Sequence, residues 1–242
     1  MPADWRYDCV VTQQIKIEGI PAIIRGAESD RLLIAVHGDM ASKSDPTIAL
    51  LAEVAAQKGC QVLSFDLPEH GDRKDEPRQC NPPNAIQDLS KIMKYARTIT
   101  NNISLFGCSI GAYFSMLAYR DEAIRQALFL SPVVDMKQVI ENMMRRFDIS
   151  EERLRQEKKI ATPAKTLYWD YYQYVCAHPV SWDKPTAILY GAQDTLCEAG
   201  YMRDFAERTN ANLTILEDGE HWFHTEKHLA FYRDWLEGKI IK

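Results

Sequence analysis

An α/β architecture, a mostly parallel sheet flanked by helices, is what these 242 residues predict. Two observations carry that expectation. Short, continuously apolar runs such as Leu32-Leu33-Ile34-Ala35-Val36 suit strands buried on both faces. They alternate with segments of helical periodicity, and repeated strand–helix units imply a parallel sheet with helices on both sides. The composition, 46% hydrophobic and 26% charged, is that of an ordinary globular chain and excludes bulk disorder.

Taken in order, Tyr7 to Arg25 carries β-branched residues on both sides of Glu18-Gly19 and reads as a hairpin. Arg31 to His37 is the first buried strand. Ser44-Asp45-Pro46 opens a helix running to about Lys58, with Pro among its first residues and Gly59 closing it. Gln61 to Asp66 is a strand, and Leu67 to Asn81 a polar loop. Asn84 to Ile99 places Ile86, Leu89, Ile92, Met93 and Ala96 at helical spacing. Ile103 to Phe106 is a strand, Ala112 to Tyr119 a helix and Ala127 to Leu130 a strand. Between 133 and 182 the alternation stops. No strand is expected there, only two or three helices, one of them densely charged around Ser150 to Lys159. Strands follow at Thr186 to Tyr190 and Asn212 to Leu216, with helices at Ala199 to Thr209 and Thr225 to Glu237. One domain spanning 1–242 is expected, with a helical insertion at about 133–182 over one end of the sheet.

Twenty-nine Lys and Arg against 34 Asp and Glu leave a net charge of −5, without the basic excess of a nucleic-acid binder. No run of 18 apolar residues suggests a membrane span. The start, Met1-Pro2-Ala3-Asp4, does not read as a secretory signal. Six cysteines, at 9, 60, 80, 108, 176 and 197, form no C-x-x-C pair. A reducing, cytoplasmic setting is the expectation, with no metal and no cofactor.

Gly107-Cys108-Ser109-Ile110-Gly111 is the most informative segment. G-x-S-x-G between a strand and a helix lifts a serine hydroxyl on a strained turn, with the glycines admitting neighbouring backbone. The plain alternative, Ser109 as a helix cap, does not need glycine on both sides. Cys108 reads as packing. A serine hydroxyl needs an adjacent base, and the base an orienting acid. In such sheets the chain order is Ser, Asp or Glu, then His. Asp194 lies just past the strand ending at Tyr190, and His221 just past the last strand, behind the Gly219 turn. Both therefore fall at the carboxyl edge where open α/β sheets bind ligands. Asp183, Asp218 and Glu198 are weaker rivals for the acid, and His224 and His228 for the base.

Two backbone donors are needed for an oxyanion. Those of Ile110 and Asp39 are assigned, with Met40 the runner-up for the second. An Asp39 carboxylate near an oxyanion would repel it by about 4 kcal/mol at ~4 Å and an effective dielectric of ~20. Its side chain should therefore turn away, toward Lys or Arg of a neighbouring loop or a cationic substrate group. His37 and His70 read as loop scaffolding.

Together His37-Gly38, Asp66 to Gly71, the Ser109 motif, Asp194 and His221 resemble the α/β-hydrolase superfamily. The resemblance is nearest to its small carboxylesterases and its monoacylglycerol-lipase-like or peptidase-like serine hydrolases. It runs from about Arg31 to Trp235. The Asp66…Gly71 stretch departs from the family's D-x-x-G-H-G loop by Glu69 in place of the first glycine. The resemblance implies Ser109 as nucleophile, Asp194 as acid, His221 as base and the insertion as a cap.

Within the insertion, Tyr168, Tyr171, Tyr172 and Val175 would share one helix face. That face either packs on the body or lines an apolar pocket. Tyr168, Trp169, Tyr172 and Met40 are the substrate-binding candidates. The leading expectation is hydrolysis of a small to medium carboxylic ester through an acyl-enzyme. A peptidase or amidase using Asp39 or Glu69 as counter-charge, a thioesterase, and a non-catalytic binding protein are the alternatives.

Overall fold

The computed structural model describes residues 10–241. The first residues of the expected hairpin, Tyr7 to Cys9, lie outside them. A two-residue turn at Glu18 and Gly19, both at positive φ, joins β1 (Thr12–Ile17) to β2 (Ile20–Arg25). β3 (Arg31–Val36), α1 (Pro46–Gln57), β4 (Gln61–Phe65), α2 (Pro82–Ile99), β5 (Asn102–Cys108), α3 (Ile110–Ala118) and β6 (Ala127–Leu130) follow. After the insertion come β9 (Thr186–Gly191), α7 (Ala199–Thr209), β10 (Asn212–Leu216) and α8 (Glu226–Lys239).

Eight strands form one sheet in the order β1-β2-β4-β3-β5-β6-β9-β10. β1 and β2 are antiparallel to their neighbours, and the other six strands run parallel. The apolar runs are continuous because both faces are covered. Along β3, Leu32, Ile34 and Val36 enter the core on one side, and Leu33 and Ala35 the core on the other. Leu51 and Val54 of α1 pack with Tyr232 and Leu236 of α8 on one face. Leu89, Phe114 and Phe205, from α2, α3 and α7, fill the opposite one. Helix starts are marked by side chains: Asn81 accepts from the Asn84 amide (3.0 Å) and Thr225 from the His228 amide (3.1 Å).

Val36, Gly107, Phe129, Ile188 and Leu213 stand in one row across the sheet. Three loops therefore leave the same edge: the Ser109 turn and those carrying Asp194 and His221.

Two sequence expectations need correction. β5 runs on through Gly107-Cys108 and α3 begins at Ile110, so the turn between them is Ser109 alone. The insertion, expected to hold no strand, contains a short hairpin. Its order is α4 (Met136–Arg146), α5 (Glu151–Glu157), β7 (Lys159–Ile160), β8 (Leu167–Tyr168) and α6 (Trp169–Ala177). β7 and β8 pair antiparallel over two residues each, and the Thr162 hydroxyl accepts from the Ala164 and Lys165 amides in the connecting turn. Two residues are too few to leave a period in the sequence. Among the described residues no helix is long and apolar enough to cross a membrane.

Candidate active site

Ser109 sits at φ 50°, ψ −118°, between β5 and α3. A non-glycine residue in such a conformation stores about 1–3 kcal/mol of strain. Tertiary hydrogen bonds hold it there. Its N–H donates to the Leu130 carbonyl (3.0 Å) and its carbonyl accepts from the Val133 amide (3.1 Å). The glycines are required by contact. A Cβ on Gly107 would stand 2.6 Å from the Ala112 Cα, and one on Gly111 2.4 Å from the Val36 and His37 carbonyl oxygens.

Ser109 Oγ lies 2.8 Å from His221 Nε2, and His221 Nδ1 2.6 Å from Asp194 Oδ2. The other Asp194 oxygen accepts from the Leu196 (2.8 Å) and Cys197 (3.0 Å) amides, which fixes the carboxylate. The two loops are laced together: Gln193 N–H donates to the Gly219 carbonyl (2.8 Å) and Ala192 N–H to that of Leu216 (2.9 Å). A Cβ at Gly191 would lie 2.4 Å from the Gly219 carbonyl, so that approach needs glycine. With Nδ1–H given to Asp194, Nε2 is left free to accept a proton from Ser109, an arrangement in which a buried carboxylate would steady the resulting imidazolium.

The rivals lie elsewhere. His224 is exposed and stacks on Trp222, while His228 is buried within α8. Asp183 pairs with Lys184, and Asp218 with Lys227. Glu198 accepts from the side-chain NH2 groups of Gln138 and Asn142, both at 2.9 Å. Burial pushes the Cys108 thiol up to about 12, so it stays protonated, in keeping with packing. Asp194, Cys197 and His221 also cluster closely enough to suggest metal ligands. Both Asp194 oxygens are engaged, however, and burial holds the Cys197 thiol protonated. Within the cluster, Asp194 and His221 are joined by a hydrogen bond instead.

The loop after β3 supplies the other side. Gly38 packs on the serine: a Cβ there would stand 3.3 Å from Ser109 Cβ. Among the described residues the amides of Asp39, Met40 and Ile110 donate to no protein acceptor, so Met40 remains a rival to Asp39. The Asp39 carboxylate turns to cations, one of the two orientations expected. Oδ1 meets His70 Nε2 (3.1 Å) and Oδ2 meets Lys165 Nζ of the insertion (2.6 Å). Burial raises its pKa, but the bond to His70 and the charge of Lys165 outweigh that and hold it below the usual carboxylate range.

Two histidines beneath this loop, with ring centres 5.2 Å apart, take opposite states. His37 donates Nδ1–H to the Gly38 carbonyl (2.7 Å) and accepts the Leu67 amide at Nε2 (3.0 Å). Burial lowers its pKa to about 4, so it is neutral. Burial also opposes the charge of His70, but the bonds to Asp39 and the Pro68 carbonyl, with Cys80 close by, win and raise it to about 10. His37 thus braces the glycine loop, and His70 anchors Asp39. Below them Asp66, fully buried, accepts from the Lys43 and Asp72 amides (2.9 and 3.0 Å) and from Lys43 Nζ (2.6 Å). Glu69 adopts φ 63°, and its carboxylate accepts the Cys80 amide at 2.6 Å. The positive φ explains the glycine of the family loop at this position.

A cavity of about 150 Å³ opens between Ser109 and the insertion. Ile110 and Val133 form its floor, Met136, Ile140 and Met143 of α4 one wall, and Tyr168 and Tyr171 another, with Asp39, Glu69 and Lys165 among its polar lining. Of the four substrate-binding candidates only Tyr168 lines it. Met40 is 96% exposed and points elsewhere. The Tyr172 hydroxyl donates to Glu141 (2.9 Å), and Trp169 packs on the Tyr172 ring at 5.9 Å. The assumed continuous helix is the reason for the correction. Tyr168 belongs to β8, α6 starts after it, and the helix turns Tyr171 to the cavity and Tyr172 to α4. Tyr171 was placed on the face expected to pack or to line a pocket but was not among the candidates, and Lys165 and the α4 residues were missed. Met136, Ile140 and Met143, at i, i+4 and i+7, carry the one signal that would have found the α4 wall.

No protein-family model matches the chain, and no curated protein matches it in sequence. Solved structures do match its backbone. Est1E from Butyrivibrio proteoclasticus, with ferulic acid bound, is 19% identical, with 93% of this chain and 96% of that chain covered at a TM-score of 0.75. The mouse alpha/beta hydrolase domain-containing protein 10 is 12% identical, with 95% and 98% covered and a TM-score of 0.77. The Pyrococcus furiosus esterase Pf2001 is 21% identical, with 95% and 89% covered and a TM-score of 0.67. At such identities likeness speaks for architecture. Read with the strand order and the edge shared by the three loops, it shows that this chain has the α/β-hydrolase fold.

Proposed function

We propose that this protein is a serine hydrolase that cleaves small carboxylic esters through an acyl-enzyme. One observation carries the reading: the hydrogen-bonded line from Ser109 Oγ through His221 to a fully buried Asp194 carboxylate. Ser109 attacks the ester carbonyl as His221 Nε2 takes its proton, and the amides of Ile110 and Asp39 face the developing oxyanion. His221 then protonates the departing alkoxide. Water, deprotonated by the same ring, releases the acid. No cofactor enters the scheme.

A cavity of about 150 Å³ with mostly apolar walls supports a small acyl group rather than a long chain. The Pyrococcus furiosus esterase named above, similar in backbone, lends the reading its support in kind. A peptidase counter-charge finds less support. Asp39 is already met by His70 and Lys165, and Glu69 by the Cys80 amide. The chain is read as a single domain, with residues 133–182 as its cap. Five free cysteines among the described residues favour a reducing, cytoplasmic compartment.

The test is labelling by a fluorophosphonate probe alongside turnover of 4-nitrophenyl butyrate. Wild type is expected to be labelled and active, and Ser109→Ala to be neither. Equal labelling of both proteins would discard the assignment.

A further inference from the structure

Three buried hydroxyls have no hydrogen-bond partner among the described residues: those of Tyr113, Ser131 and Tyr171. Tyr113 lines a different cavity, between α7 and the insertion, and Ser131 lines none of the cavities described. Tyr171 lines the cavity that also contains Ser109. The charged groups of that cavity are spoken for, Asp39 by His70 and Lys165, and Glu69 by the Cys80 amide. Gln79 and Thr166 are partly exposed and open to solvent. Among the residues lining this cavity, Tyr171 is therefore the one whose buried hydroxyl has no hydrogen-bond partner among the described residues.

Resting on the serine-hydrolase reading, we propose that Tyr171 determines substrate choice, and that the acyl pocket takes chains bearing an oxygen acceptor at their far end. The physical reason is the unmet bond. In the resting site the O–H has no protein partner among the described residues, and an acyl chain ending in methyl leaves it bare. A chain ending in a ketone or hydroxyl oxygen accepts the bond. Discrimination of this kind comes from the unpaired protein group as much as from the bond gained. It is expected to reach about tenfold or more.

Matched isosteres read this directly. The 4-nitrophenyl esters of 4-oxopentanoate and 4-methylpentanoate have the same shape, as do those of 5-oxohexanoate and 5-methylhexanoate, and the two pairs sample two depths. The ratio of kcat/KM for oxo over methyl ester is measured in wild type and Tyr171→Phe, with fluorophosphonate labelling rates in parallel. In at least one pair the ratio falls about tenfold or more in Tyr171→Phe. A general loss from poor packing cancels in the ratio. An unchanged ratio in both pairs, with labelling intact, overturns the assignment of Tyr171 and leaves the hydrolase reading standing. Absence of labelling and turnover in wild type overturns both. Should the variant not fold, wild type supplies a second readout. The free 4-oxopentanoate anion then protects Ser109 from the probe at lower concentration than 4-methylpentanoate does, and equal protection overturns the inference.

Discussion

At the sheet edge Ser109, Asp194 and His221 are positioned by backbone, whereas across the cavity the insertion offers side-chain faces alone. The first group is fixed by amide bonds between loops and by glycines whose neighbours leave no room for a methyl group. The second is a wall of Met, Ile and Tyr tied to the first by the Lys165–Asp39 pair. Backbone positioning tolerates almost no change of geometry, and a wall of flexible side chains tolerates many. Chemistry should therefore fail abruptly when the first region is altered, while alteration of the second should change preference.

The largest effect tests that division at its centre. Asp194→Asn keeps an acceptor for the Leu196 and Cys197 amides but presents the wrong partner to His221 Nδ1–H. kcat is expected to fall roughly 10⁴-fold with little change in melting temperature. A fall below tenfold would mean that the carboxylate does not orient the base. Next comes the glycine contact. Gly111→Ala should destabilise the protein by about 3 kcal/mol in urea unfolding, because the new Cβ meets two carbonyl oxygens at 2.4 Å. Gly238→Ala, exposed in α8 with nothing within 4 Å of its Cβ, should instead stabilise by roughly 0.5–1 kcal/mol.

The histidine pair beneath the loop after β3 gives a pH signature on the backbone-held side. Between pH 6.5 and about 4 the unfolded chain binds a proton at His37 and the folded chain does not, so stability falls as pH falls. The shift corresponds to roughly 3 kcal/mol over that range. His70 works in the other direction. Its contribution is full below about pH 6.5 and is lost as pH rises toward 10. Unfolding midpoints across this range should fall on both flanks. In His37→Asn the acid flank should flatten while the alkaline flank remains. An acid flank unchanged in His37→Asn would assign that loss to other groups.

How much of this was legible in the sequence follows the same division. The Ser109 turn was readable because a strand, two glycines and a helix start lie within ten residues. Asp194 and His221 were readable because each follows a strand end, and parallel register carries both to the serine's edge. The wall was not. Whether Tyr171 or Tyr172 faces the cavity depends on where α6 begins, and the preceding Tyr168 belongs to a two-residue strand that leaves no pattern. Glu69 in a glycine position was visible as a departure. Its compensation, a bond to the Cys80 amide eleven residues on, was not. The partner of Asp39 lies 126 residues away, and local periodicity cannot reach it.

That distant pair supplies the smallest expected effect and the sharpest check on the insertion side. Lys165 and Asp39 are 47% and 38% exposed, so their pairing contributes less than about 1 kcal/mol and weakens with salt. Removing Lys165 leaves Asp39 bonded to charged His70, and the carboxylate keeps turned from the amides of Asp39 and Ile110. Lys165→Ala should therefore change kcat for 4-nitrophenyl butyrate less than about threefold. Any salt dependence of KM should become shallower in the variant. A tenfold loss of kcat would break the comparison, because the insertion would then hold the loop after β3 in place through this one lysine.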